Sequence, residues 1–244
     1  MKKILFFIAA LSLSVPGFAQ SDDGEDDLIS TGKEKSNAFF LGPKVGVTMT
    51  SMTQPDEGKL YDGSGFGFSG GVVLKARFGK ASENSVGGTG YFGAGLELKY
   101  KLNSVKTLGT DEGGKENAKL SLGYFEVPVF VHIYPFAKSP SVNPLYVELG
   151  VAFAGTLSRS PKSLTLINPS DEYSLVTYNI DANGSKLKGM DVRPFAGLGY
   201  TIPNTSLDIN ARYYIGTSEL AKNFPCKMST LEVSLAWLFN IGKF

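Results

Sequence analysis

Leu207-Asp208-Ile209-Asn210-Ala211-Arg212-Tyr213-Tyr214-Ile215 decides the fold, because its apolar residues recur at every second position. Leu207, Ile209, Ala211, Tyr213 and Ile215 share one face of an extended chain, while Ser206, Asp208, Asn210, Arg212 and Tyr214 share the other. Successive side chains of a strand point to opposite faces, so the period predicts a two-faced β-strand. The last stretch repeats it: Leu231, Val233, Leu235, Trp237, Phe239 and Ile241 alternate with Glu232, Ser234, Ala236 and Asn240. Read this way from Ala38 onward, the chain has eight segments, near 38–51, 64–79, 90–105, 118–136, 144–159, 188–202, 205–217 and 229–244, with no long helical pattern between them.

The connections are expected to alternate in length. Those after the first, third, fifth and seventh segments read as long, with 160–187 the longest, and those after the even segments as shorter, ending in Pro203-Asn204. An even-stranded antiparallel up-and-down barrel with long loops at one end and short turns at the other is the build of transmembrane barrels of the bacterial outer membrane. Such a barrel places both termini on the short-turn, periplasmic side.

Alternation by itself also permits a soluble barrel with an apolar lumen, and residue size decides between the two. The polar face carries Gly42, Gly46, Gly67, Ser69, Gly71, Gly93, Gly95, Gly123, Gly150, Ala152, Ala154, Gly197 and Gly199. A face turned to open water has no steric need for glycine, whereas the lumen of an eight-stranded barrel is just wide enough for side chains to fill. The small, charged face is therefore expected inside. Val45, Val47, Val72, Leu74, Leu96, Leu98, Val127, Val129, Val131, Leu145, Val147, Leu149, Val151 and Phe153 form an apolar band suited to lipid. Phe66, Phe78, Phe92, Tyr100, Tyr200 and Tyr213 stand near its edges, as interfacial girdles do.

The inward charges expected from this phase are Lys44, Lys75, Arg77, Glu97, Lys99, Glu126, Glu148, Arg193, Asp208, Arg212 and Glu232. Isolated charges in a narrow lumen are costly, so six basic against five acidic residues predict a paired structural network that plugs the barrel and fixes strand register. A proton or ion path along the same residues is the alternative; porin-like diffusion is not expected from so narrow a bore.

Composition agrees with this class. A chain of 244 residues that is 42% hydrophobic and 19% charged is too apolar for disorder and too polar for a helical membrane bundle. A net charge of +1 gives no footprint for nucleic acid, and a lone Cys226 forbids an internal disulfide or a multi-cysteine metal site. Lys2 and Lys3, the apolar run from Ile4 to Leu13 and the small residues before Gln20 predict a signal peptide, 1–19, cleaved after Ala19. The acidic and polar stretch 20–37 reads as a solvated periplasmic linker.

On these residues the chain resembles the PorT-like outer-membrane beta-barrel family of small eight-stranded proteins. The resemblance runs through Gly42-Pro43-Lys44-Val45-Gly46-Val47, Gly70-Gly71-Val72 and Gly95-Leu96-Glu97-Leu98-Lys99-Tyr100, and is most characteristic in Gly123-Tyr124-Phe125-Glu126-Val127-Pro128-Val129. Leu145-Tyr146-Val147-Glu148-Leu149-Gly150 and the stretch Leu207 to Tyr214 are similar as well. A terminal Phe244 resembles the signal read by the barrel-assembly machinery, although it is out of phase with the series ending at Ile241. The resemblance implies fold and localisation and carries over no catalytic residue.

Several motifs point elsewhere and are set aside. Gly65-Phe66-Gly67-Phe68-Ser69-Gly70 matches a dinucleotide fingerprint and Gly67 to Gly71 a nucleophile elbow, but each needs a strand-to-helix turn. His132, the only histidine, rules out a two-histidine metal site and is expected to be buried against a neighbouring charge. Pro128 in mid-strand predicts a bulge or local break. Asp111, Glu112, Glu116, Asp171, Glu172 and Asp181 read as solvated loop acids without calcium-site spacing. The expectation is a non-enzymatic barrel without cofactor or metal, in contact with outer-membrane lipid, the assembly machinery and an external or envelope protein met by its loops. An accessory subunit of an envelope secretion or transport complex, suggested by the family resemblance, and a lipid-modifying barrel enzyme are the alternatives.

Overall fold

A computed structural model describes residues 38–53, 61–78, 90–110, 114, 118–136, 144–160, 163–167, 175–179, 191–202, 205–217, 219–221 and 224–243. The chain divides into two compact units, 1–33 and 34–244, and the described residues all belong to the second. The expected signal segment and linker, the Pro203-Asn204 turn, the loop acids and Phe244 lie outside the described residues.

Eight long strands build the wall: β1 Ala38–Met52, β2 Tyr61–Phe78, β3 Phe92–Thr107, β4 Lys119–Ile133, β5 Leu145–Ser160, β6 Asp191–Thr201, β7 Leu207–Tyr214 and β8 Phe224–Trp237. Each pairs antiparallel with the next in sequence, and β1 pairs with β8 from Lys44 opposite Ala236 to Met52 opposite Met228, so the sheet closes on itself. Among the described residues there is no helix. The dinucleotide-like and elbow-like glycines lie inside the uninterrupted strand β2, where neither motif can aim a backbone or a serine.

The two faces separate as their side chains dictate. Val45 is 61% exposed, Val47 62% and Phe66 71%, and the outward Val, Leu and aromatic residues of all eight strands continue that surface. Full burial of each such side chain is worth roughly 1.5–3 kcal/mol, so a continuous band of this kind belongs in hydrocarbon and not in water. Lys44, Lys75, Glu97, Lys99, Glu126, Glu148, Arg193, Asp208, Arg212 and Glu232 are all buried on the inner face.

The inner glycines have a specific steric reason. Phe130 stands opposite Gly95, Phe195 opposite Gly150 and Tyr146 opposite Gly199 across the ladders. A Cβ on Gly95 would come within 2.2 Å of the Phe130 ring, one on Gly150 within 2.6 Å of Phe195, and one on Gly199 within 2.0 Å of Tyr146. Each of these three rings thus lies over a cross-strand glycine, which lets large side chains fill the bore without forcing the strands apart.

Two details differ from the sequence reading. Gly123, expected on the inner face, is on the outer one. Leu120, Leu122 and Tyr124 share the buried phase of Glu126, and a Cβ on Gly123 would meet the Tyr100 hydroxyl at 2.4 Å. Connection lengths do not alternate, since 79–91 after β2 is longer than 53–60 after β1, although 161–190 is the longest. The cause is that β2 and β8 begin several residues earlier than the apolar pattern does, because ladder hydrogen bonds are indifferent to the side chains they carry. Pro128 produces the expected local break, as a gap in the ladder. Pairing of β3 with β4 skips from Leu96 opposite Val129 to Lys99 opposite Glu126 in the same register, as expected where a ladder donor is missing.

The rim where β1 ends, the far rim, carries additional sheet. Gly109–Thr110, Ser163–Ile167 and Leu175–Asn179 form a separate three-stranded sheet in that order, joining the connection after β3 to the one after β5. At the near rim, Phe239–Lys243 extends β8 along the start of β1 after a register shift between Phe39 and Phe40.

Candidate functional site: the charged lumen

The phase of each strand delivers its charges to the axis, and Arg212 on β7 is the centre of what they build. Its Nη1 donates to Glu97 Oε2 at 2.8 Å and its Nη2 to Glu97 Oε1 at 2.7 Å. Its Nε and Nη2 grip Glu148, the latter at 3.0 Å, and Nη1 also reaches the Tyr214 hydroxyl at 3.3 Å. All five guanidinium N–H groups therefore have acceptors, in two forked carboxylate pairings of the strongest kind available to a side chain. Phe130 and Phe195 flank the guanidinium, with ring centres 4.6 and 4.9 Å from its central carbon.

Other pairs extend the network both ways along the axis. Lys44 Nζ meets Glu97 at 2.7 Å. Lys99 Nζ meets both oxygens of Glu232 at 2.8 Å and the Tyr214 hydroxyl at 2.9 Å, and Ser69 donates to Glu232 at 2.9 Å. Toward the far rim, Arg193 joins Glu126 at 3.1 Å to Asp191 at 2.6 Å and lies 4.1 Å from the Tyr124 ring centre. Toward the near rim, Lys75 pairs with Asp208, which also accepts from Thr201 at 3.0 Å and from Tyr146 at 2.9 Å. Arg77 donates to the Gly90 carbonyl at 3.2 Å and stacks 3.6 Å over the Tyr134 ring.

All eleven predicted charges thus face the lumen. Carboxylate–cation pairs join ten of them to one another, and Arg77 has the carbonyl and ring contacts just described. Sequence reasoning missed two members. Lys101, fully buried, lies 3.2 Å from Glu232 and 3.5 Å from Glu126, with the Tyr214 ring centre 3.4 Å away; Asp191 holds Arg193. Both follow the parity of charges already identified, Lys101 that of Glu97 and Lys99 and Asp191 that of Arg193, so the signal was present.

His132 Nε2 lies 2.7 Å from Glu148 Oε2, with the Tyr146 ring 4.5 Å away. Among the described residues its Nδ1 has no hydrogen-bond partner, so there this dyad does not continue to a hydroxyl. Among the described residues no group of His, Cys, Asp and Glu is arranged to hold a metal ion. What the arrangement does chemically is fix positions: Lys44, Lys75, Lys99, Arg193 and Arg212 each meet a carboxylate from a strand that is not a neighbour.

A family profile described as outer membrane protein beta-barrel domain matches residues 18–221. The chain belongs to this family. Its outer-membrane barrel is completed beyond the matched residues by β8, the strand that closes onto β1. Among solved structures, Neisserial surface protein A is 11% identical, with 82% of this chain and 97% of that chain covered and a TM-score of 0.40. Ail, the attachment invasion locus protein of Yersinia pestis, in complex with the heparin analogue sucrose octasulfate, is 11% identical, with 83% and 99% covered and a TM-score of 0.40. No curated protein matches the outer-membrane barrel by sequence.

Proposed function

We propose that this outer-membrane barrel is a non-enzymatic protein whose lumen is plugged by its charge network and whose far rim contacts a surface or envelope partner. The observation that carries the reading is the three-stranded sheet formed by Gly109–Thr110, Ser163–Ile167 and Leu175–Asn179, which ties two far-rim connections into one paired unit. Recognition on rigid scaffolds is carried by such connections. In this reading the far rim faces outward and both termini are periplasmic. The plug is supported by Arg212 and its carboxylates lying across a bore only wide enough for side chains.

A peptide tag inserted between residues 168 and 174 tests the orientation. Antibody added to intact cells is expected to label that tag and not one at the C terminus. Labelling of the C-terminal tag alone overturns it. Purified barrel in planar bilayers is expected to give no steady open-state current, and an ohmic pore would remove the plug from the proposal.

An accessory role in a secretion complex, as the PorT-like resemblance suggests, has one supporting observation. Tyr124, Glu126 and Pro128 of the characteristic fourth strand occupy successive buried positions of the inner face. Co-purification of a stoichiometric partner after mild detergent extraction would favour it.

A further inference from the structure

Lys106 on β3 and Lys119 on β4 stand directly opposite one another across the ladder at the far rim, both exposed. Like charges directly opposite on neighbouring strands destabilise a sheet. On its other side Lys106 faces Gly63 of β2, and neither lysine has an ion pair among the described residues. The pair is held at a closed end of the wall, where Thr107 donates its amide and its hydroxyl to the Ala118 carbonyl at 3.1 and 2.6 Å.

Below this pair the outer face turns polar and then aromatic. Ser104 and Ser121 share a hydrogen bond of 3.0 Å one step down, and Ser121 faces Ser160 of β5. Tyr100, Phe68 and Phe66 then mark the edge of the apolar band, with Phe68 and Tyr100 ring centres 6.1 Å apart. Two ammonium groups just above an aromatic girdle, beside a row of serines, sit where lipid headgroups meet a barrel wall.

The geometry points to Lys106 and Lys119 as a site for a membrane lipid whose headgroup carries a phosphate monoester, the phosphate lying between the two ammonium groups. A monoester near neutral pH carries up to two negative charges and three acceptor oxygens, enough to offset both lysines and leave an oxygen for a serine hydroxyl. This inference rests on the outward orientation proposed above, and the tag experiment tests that orientation separately.

The test is native mass spectrometry of the detergent-purified full chain with bisphosphorylated lipid A, with the same lipid stripped of phosphate, and with excess inorganic phosphate as competitor. Wild type is expected to retain the phosphorylated lipid in preference to the stripped one, and the double variant Lys106→Gln/Lys119→Gln to retain it about tenfold less. Lys106→Glu, which turns the like-charge pair into a complementary one, is expected to raise Tm in lipid-free detergent while losing retention; this keeps the test decisive if the double variant folds poorly. Equal retention by wild type and Lys106→Glu overturns the site. Equal retention of the stripped lipid, or displacement of lipid A by inorganic phosphate, overturns the lipid assignment.

Discussion

Arg212→Met is expected to abolish the folded barrel, seen as a band whose gel migration no longer changes on boiling. Glu97 and Glu148 would be left facing each other, both buried and stripped of their shared cation. Removing one partner of a buried pair costs about 3–5 kcal/mol because the remaining charge is left uncompensated, and here two charges are stranded at once. A hydrophobic replacement of similar length separates the charge effect from a loss of volume. Arg212→Met/Glu97→Gln/Glu148→Gln removes the stranded charges as well and is expected to restore heat-dependent migration. A single variant as stable as wild type would show that the network does not hold the barrel together.

Gly199→Val is the second substitution expected to block assembly. The three atoms nearest to an added Cβ all belong to the Tyr146 side chain, two ring carbons at 2.0 and 2.5 Å and the hydroxyl oxygen at 2.2 Å. That ring cannot swing away. It is fully buried, its hydroxyl accepts from Lys75 at 2.9 Å and donates to Asp208, and His132 packs on it at 4.5 Å. Overpacking of a well-filled core typically costs about 1–3 kcal/mol, and a branched residue against a pinned ring lies at or beyond the top of that range. Because the obstacle is a side chain and not backbone, Gly199→Val/Tyr146→Ala is expected to fold better than Gly199→Val alone, measured by the boiled and unboiled fractions. If the double variant is no better, the conflict is not with Tyr146.

The same residues explain how far the sequence could be read. Period-two alternation located all eight strands, and the sidedness of glycine distinguished lumen from lipid face because only a narrow bore demands small residues opposite large ones. Parity also placed Arg212, Glu97 and Glu148 on the inner face, but which carboxylate meets which cation depends on barrel stagger, which alternation does not encode. Gly123 reads as lumenal by its size but not by its phase: at the far end of β4 Leu120 and Leu122 turn inward and the glycine outward. The ends of β2 and β8 were missed because backbone pairing outlasts the apolar pattern that announces it.

Arg212 lies on β7 and Glu97 on β3, four places apart in a ring of eight, so their forked contact runs straight across the bore. Lys99 to Glu232 makes a second strut at a different angle, from β3 to β8. A tube braced by struts across its bore resists being squeezed into an oval by lateral pressure from its surroundings. The spacing of the strand tops is thereby held constant, and whatever is mounted on them inherits a fixed footprint.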